Sequence, residues 1–258
     1  MGAPQAARAF LVRGLLVGVV AGFAAFVVAY FLGEPGIVRA IAVEQAASSA
    51  AGAGDGQVEI VSRTVQSTVG LATATIAFGA SFGGLFGLAC AVAQGRLGAL
   101  RPRAAAAVLA AVGFVTITLV PFIKYPANPP AVGDPATIGR RTILYFLMVA
   151  LSLLFVVAGV YVARRLPLGR WDRVLAGTGL YLLLVVASMA LLPRMQEVGP
   201  DFPAAVLWSF RTGSLATLAT LWLVLGTLYG ALTERSLAKD EGARAMRRLV
   251  TSEQRSGA

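Results

Sequence analysis

The sequence predicts an all-α membrane protein with six transmembrane helices. Its 258 residues are 57% hydrophobic and 13% charged, and the mean hydropathy is +0.77. Six apolar runs are each long enough to cross a hydrocarbon core of about 30 Å. Basic residues are concentrated in alternate loops, which is the pattern of loops that lie in turn on the two sides of a membrane. The net charge of +10 is therefore explained without a nucleic-acid partner, and the lipid bilayer is the expected environment.

The apolar runs follow one another with polar segments between them. They cover residues 14–33, 67–93, 104–123, 142–163, 174–192 and 204–232. The first is longer than the apolar part of a secretory signal peptide, so we expect it to be retained. Pro35 is expected to end the first helix, and the Ala-, Ser- and Gly-rich stretch after it to be a flexible linker. We predict one membrane domain over residues 1–235 and a short charged tail over 236–258.

The distribution of basic residues predicts the orientation. The N-terminal segment, the loops at 94–103 and 164–173, and the C-terminal tail together hold fifteen lysines and arginines, while the other three loops hold six. Loops rich in lysine and arginine stay on the cytoplasmic side. Both termini are therefore predicted to be cytoplasmic.

Small residues predict which helices pack closely. Glycines recur every four residues in the first, second and sixth runs, at Gly14, Gly18 and Gly22, at Gly79, Gly83 and Gly87, and at Gly226 and Gly230. Such faces let helix backbones approach each other in lipid, so these three helices should form the tightly packed centre. A polar row in the second run, which includes Thr73 and Ser81, is either a packing seam or a pathway lining, and we favour the seam.

No catalytic constellation is predicted. Residues 79–83 fit the G-x-S-x-G pattern of a hydrolase, but that motif needs a strand-to-helix turn and a histidine base. Here it lies within an apolar helix, and the chain contains no histidine. The chain also lacks the phosphate-binding motif of ATPases. We expect neither catalysis nor a bound cofactor.

The segment from Pro121 to Arg141 is the first candidate functional element. Its five prolines lack backbone N–H groups and disfavour helix at the preceding residue, so it should expose carbonyl oxygens without matching donors. Acids on the predicted exterior side are candidate ligands for a divalent cation, namely Glu34, Glu44, Asp134, Glu197 and Asp201. A second set is assigned to a pathway or to structural support, namely Tyr125, Asn128, Arg140, Arg141 and Arg211.

Specific partners are predicted for some of these residues. Arg211, an ionised group inside an apolar run, either extends to the interface or pairs with Glu34, Glu197 or Asp201. Tyr125 and the neighbouring Lys124 suit an interfacial anchor. Arg140 and Arg141 should be held by a carboxylate, for which Asp134 is nearest, or by helix-end carbonyls.

Several sequence blocks are distinctive, and the most specific is KYPANPPAVGDPATIGRRTILY at 124–145. Further blocks are GEP at 33–35, AIAVEQ at 40–45, VSRTVQSTVGL at 61–71, EVGPDFPAAVLWSFR at 197–211 and GALTER at 230–235. Together they extend over most of the chain. In these blocks the chain resembles the CbtA family of predicted cobalt transporter subunits.

The resemblance implies a membrane subunit of a cobalt uptake system in the bacterial cytoplasmic membrane, linked to cobalamin supply. It also implies a small single-span partner, CbtB, that contributes histidine. Family members commonly carry histidines in the first exterior loop, whereas residues 44–60 here contain none. We therefore expect cobalt, or another divalent cation, as a transported substrate that this chain alone binds weakly. A homo-oligomer is a further hypothesis, and the alternative function is an accessory protein that organises a partner without conducting a substrate.

Overall fold

The computed structural model describes residues 3–50, 61–93, 96, 100–130, 132, 135–195 and 197–256. The structure is 87% helical, and no strand occurs among these residues. Six helices are long and apolar enough to cross a membrane, which confirms the predicted fold class and the number of spans. They are Ala7–Ala50, Arg63–Ala93, Pro102–Lys124, Ile138–Arg165, Arg170–Leu191 and Ala204–Lys239. The cytoplasmic position of both termini stays a prediction.

The first three spans are each interrupted by a turn of π-helix. The first is built from α1 (Ala3–Val28), a π-turn at Ala29–Gly33 and α2 (Glu34–Ala50). The second consists of α3 (Arg63–Val65), a π-turn at Gln66–Gly70 and α4 (Leu71–Ala93), and the third of α5 (Pro102–Gly113), a π-turn at Phe114–Leu119 and α6 (Val120–Lys124). A single 3-10 turn at Pro135–Thr137 precedes the three uninterrupted helices, α7 (Ile138–Arg165), α8 (Arg170–Leu191) and α9 (Ala204–Ser256).

Pro35 does not end the first helix, so that prediction is wrong. The N–H of Glu34 donates to the carbonyl of Ala29, five residues earlier, and this widens the helix immediately before the proline. A wider turn accommodates the proline ring and its missing donor, so the chain continues as helix to Ala50. Pro121 follows the π-turn of the third span in the same way. The rest of the predicted linker, residues 51–60, lies outside the described residues.

The chain divides into two compact units. The first unit comprises Met1–Ala24, Ala74–Ala111 and Leu221–Ala258, and the second Ala25–Thr73 and Val112–Thr220. In the first unit the glycines of α1 and α4 place the two backbones in contact. A Cβ atom on Gly18 would lie 2.2 Å from the carbonyl oxygen of Gly79, and one on Gly14 would lie 2.2 Å from that of Gly83. This confirms the predicted glycine contact between the first two spans.

The glycines of the sixth span pack elsewhere than predicted. Cβ atoms on Gly226 and Gly230 would lie 2.6 and 2.9 Å from the nearest atoms of α5, not from α1 or α4. Instead α9 reaches the α1–α4 pair through Tyr229, whose hydroxyl donates to the carbonyls of Phe10 and Gly87, both at 3.4 Å. The sixth span thus contacts the predicted centre through an aromatic side chain.

The polar row of the second span is not a packing seam among the described helices. Thr73 and Ser81 are exposed, because the buried stripe of α4 runs along its glycines. The Ser81 hydroxyl donates to the carbonyl of Ala77, one turn earlier on the same helix, at 2.9 Å. A serine hydroxyl that bonds to its own helix in this way needs no partner on a neighbouring helix.

The second unit is organised around the α7–α8 hairpin. A Cβ on Gly159 of α7 would lie 2.7 Å from the carbonyl oxygen of Gly177 on α8, so these backbones are also close. Ser152 and Tyr181 share a buried hydrogen bond of 2.9 Å across the pair. The surrounding core consists of Val120, Tyr125, Leu144, Met148, Tyr181 and Val185. This core holds the end of α6, from which the proline-rich loop begins.

Candidate functional site

The proline-rich loop leaves the membrane helix at Tyr125. This residue has φ −130° and ψ 73°, and its side chain is only 3% exposed. Its hydroxyl donates to the carbonyl of Pro193 at 2.9 Å. Burial raises the pKa of the Tyr125 phenol, although the positive charge of Arg140 lowers it in part, so the hydroxyl stays protonated and acts as a donor.

Lys124 supports the same end of the loop. Its ammonium group donates to the carbonyls of Met189 and Leu192 at 2.7 and 2.8 Å, at the C-terminal end of α8. The last carbonyls of a helix lack N–H partners and carry a partial negative charge, which a lysine satisfies. The predicted interfacial anchor is therefore wrong, because both Lys124 and Tyr125 bind the protein rather than face lipid.

Two arginines provide the donors that the loop carbonyls lack. Arg141 on α7 donates to the carbonyl of Pro126. Arg211 on α9 donates through Nε to the carbonyl of Ala127 at 3.1 Å, and through Nη2 to Oδ1 of Asn128 at 3.0 Å. Side chains from two helices thus fasten a backbone that has no secondary-structure partner of its own.

Glu197 joins these contacts into one network. It forms an ion pair with Arg141 at 3.1 Å, and its carboxylate accepts hydrogen bonds from Thr137 at 2.8 Å and from Asn128 Nδ2 at 3.3 Å. Its side chain is 5% exposed, against 25% for that of Arg141. Glu197 is therefore a carboxylate that holds Arg141, while the expected partner, Asp134, lies outside the described residues.

The predicted ion pair of Arg211 does not form within the described part of the chain. Glu197 reaches Arg211 only through Asn128, and Asp201 is exposed. The third predicted partner, Glu34, pairs with Arg63 instead. Arg211 instead binds oxygens of the loop, the carbonyl of Ala127 and the side chain of Asn128. These contacts with α9 were not predicted from the sequence.

These side chains surround one cavity, which we call the loop cavity. Its volume is about 350 Å³. It is lined by Tyr125, Pro126, Asn128, Arg141, Met195, Glu197, Val198, Leu207 and Arg211. Five of the ten candidate residues thus lie together.

Four of the other candidates are described, and none of these four lines the loop cavity. Glu34, on α2, is buried against Arg63. Three others, Glu44, Arg140 and Asp201, are exposed. In the part of the chain that the structure describes, no three His, Cys, Asp or Glu side chains come close enough to hold a metal ion.

Several residues that line the loop cavity or bind the candidate residues were not predicted from the sequence. Thr137 carried no signal, since an isolated threonine beside a helix start is common. The apolar lining residues Met195, Val198 and Leu207 resembled ordinary core positions. Arg63 offered a usable signal, because a basic residue near the predicted exterior end of one span suits a carboxylate, Glu34, at the same end of another.

Comparison with known proteins adds one finding. A family model described as a probable cobalt transporter subunit (CbtA) matches residues 7–234, which include every residue that lines the loop cavity. Neither a curated protein nor a solved structure matches the chain. The match extends over most of the sequence and agrees with the six membrane-spanning helices. The chain therefore belongs to the CbtA family of probable cobalt transporter subunits.

Proposed function

We propose that this cobalt transporter subunit takes part in the translocation path itself, and that the loop cavity is the place where substrate passes. The observation that carries the proposal is a polar cavity bounded by the irregular backbone of residues 125–130, at the end of a membrane span. Non-helical backbone near membrane depth persists where it is buried in protein or lines a water-filled space. The arginine, glutamate and asparagine side chains hold this backbone in one arrangement.

Nitrogen ligands for the metal would come from another chain. This sequence contains no histidine, whereas imidazole is a preferred ligand of late transition metals. We propose a small histidine-containing single-span partner, CbtB-like, in the bacterial cytoplasmic membrane, and a role in supplying cobalt for cobalamin. Family membership supports this assignment, because a subunit requires at least one further component.

The acids would then have two separate roles. Glu34 and Glu197 are engaged in ion pairs, so we assign them to holding the structure. Glu44 and Asp201 are exposed and stay candidate ligands only outside the loop cavity. Asp134 stays a candidate ligand on sequence grounds alone.

Cobalt accumulation by cells tests the proposal. Cells expressing the chain, with and without the small partner, are compared with cells expressing Asn128→Ala or Arg211→Gln. Both variants should reduce cobalt accumulation strongly at equal membrane abundance. Arg173→Gln removes an exposed charge near the start of α8, away from the loop cavity, and should leave accumulation unchanged. Unimpaired accumulation in both cavity variants would favour the accessory function, in which the network only stabilises the subunit.

Reporter fusions test on which side the cavity opens. Fusions after Gly98 and Gly169 should report the cytoplasm, and a fusion after Val132 should report the exterior. A cytoplasmic signal at Val132 would reverse the orientation and would make the cavity an exit rather than an entrance.

A further inference from the structure

The charge of the loop cavity is the opposite of what a bare cation needs. Among the residues that the structure describes, its lining contains two guanidinium groups, of Arg141 and Arg211, and one carboxylate, of Glu197. This described lining carries one excess positive charge. A divalent cation that entered this space would meet two like charges at close range.

The single carboxylate is also not available as a ligand. One oxygen of Glu197 accepts from Thr137, and the other contacts Arg141 and Asn128. With a side chain that is 5% exposed, Glu197 is turned away from solvent, whereas a quarter of the Arg141 side chain remains accessible. The charge that solvent meets in the cavity is therefore mainly that of guanidinium groups.

Arg211 keeps donors for a further acceptor. Its hydrogen bonds use Nε and Nη2, while Nη1 bonds to none of the residues that the structure describes. A guanidinium carries five N–H groups in a planar arrangement that matches the two oxygens of a carboxylate. The cavity volume of about 350 Å³ lies within the range of small-molecule sites.

We propose that the loop cavity binds a carboxylate-bearing anion, and that cobalt reaches this subunit as a negatively charged carboxylate chelate rather than as the bare ion. The inference rests on the proposed function, because it names the form in which substrate enters the path. The guanidinium groups of Arg141 and Arg211 would recognise the carboxylates of the chelate, and the metal would keep its own oxygen ligands. Such a site needs no metal ligand from this chain.

Calorimetric titration of the purified full-length protein tests this inference. The probes are citrate, the anionic one-to-one complex of cobalt with citrate, and cobalt chloride. Citrate and cobalt citrate should both bind, citrate the more tightly because it carries three negative charges against one for the complex, and cobalt chloride should bind at least tenfold more weakly than the complex. Arg211→Gln should weaken both citrate probes at least tenfold, whereas Arg173→Gln, at an exposed position near the start of α8, should change them less than twofold.

A second variant separates binding from folding. Leu207→Trp fills part of the cavity and leaves every polar contact of the network in place, so it should block the citrate probes in a protein that still elutes as a single species. The inference is overturned if citrate fails to bind, if cobalt chloride binds more tightly than cobalt citrate, or if Leu207→Trp binds both probes normally. Loss of citrate binding together with cavity-dependent cobalt accumulation would refute this inference alone. Citrate binding with normal accumulation in the cavity variants would instead refute the proposed path.

Discussion

The contact between α1 and α4 and the network around the loop cavity use opposite means to hold backbone in place. In the first, glycines bring two backbones so close that a Cβ on Gly18 would lie 2.2 Å from a carbonyl oxygen. In the second, residues 125–130 receive hydrogen bonds from the side chains of Arg141 and Arg211. The α1–α4 contact requires that glycines carry no side-chain atoms, whereas the network around the loop cavity requires charged side chains.

The difference shows how each region should respond to mutation. A close backbone contact tolerates no added atom, because neither helix can move locally without separating from the other. A side-chain network loses one interaction at a time, and the cost depends on which group is left without a partner. Four substitutions test this comparison, in order of decreasing expected effect.

Gly18→Ala should have the largest effect. Its new Cβ would meet the carbonyl of Gly79, and the resulting overpacking should cost at least about 3 kcal/mol. Gly139→Ala is the matched control, since nothing lies within 4 Å of its Cβ position, and it should change stability by no more than about 1 kcal/mol. The fraction of protein that stays monodisperse after heating measures both. Equal values would show that α1 and α4 do not touch at Gly18.

Arg141→Gln should come second, because it leaves the buried carboxylate of Glu197 without its ionic partner. Removing one member of a fully buried ion pair costs about 3 kcal/mol or more, and since a quarter of the Arg141 side chain is exposed we expect a loss of about 2 kcal/mol. Adding Glu197→Gln should recover part of this loss, since the unpaired charge is then removed. Denaturant titrations of the single and double variants measure the coupling. Strictly additive changes would mean that the two side chains do not interact.

Arg211→Lys should have a smaller effect. The ammonium keeps the charge but cannot reach the carbonyl of Ala127 and the amide of Asn128 with the geometry of a guanidinium. We expect a loss of about 1.5 kcal/mol, which corresponds to one hydrogen bond from a charged donor. Arg140→Lys, at an exposed position, is the control in the same titration. Full stability of Arg211→Lys would show that charge alone matters at this position.

Tyr125→Phe should have the smallest effect, because it removes one neutral hydrogen bond to Pro193. The expected loss is about 1 kcal/mol at neutral pH. Since the pKa of Tyr125 is raised in the folded protein, this advantage over phenylalanine should persist up to pH about 10 and decline above it. Unfolding curves at neutral and alkaline pH measure the change. Tyr161→Phe, at an exposed position, should show no loss at neutral pH.

The two regions also differ in how far sequence could predict them. The glycine contact of the first two spans followed from a four-residue period, because that spacing is a property of one helix and needs no knowledge of the rest. Arg141, Arg211, Asn128 and Glu197 were identified as candidates from their chemistry and position. Their partners were not, because Arg211 and Asn128 are separated by 83 positions and meet only when the loop folds back.

The sequence by itself determined the membrane environment, the six spans and the close α1–α4 contact, since apolar length and glycine spacing act within single helices. Local sequence did not determine that the first span would continue as a helix through Pro35. A proline disfavours helix, and whether the helix continues depends on the geometry of the preceding turn, which here is a π-turn. Only the tertiary structure decided that Lys124 and Tyr125 face α8 and its C-terminal loop, and that Glu197 is buried among donors. Unsatisfied backbone oxygens in an apolar setting bind whichever donors the packed helices bring within reach, and that depends on the whole second unit.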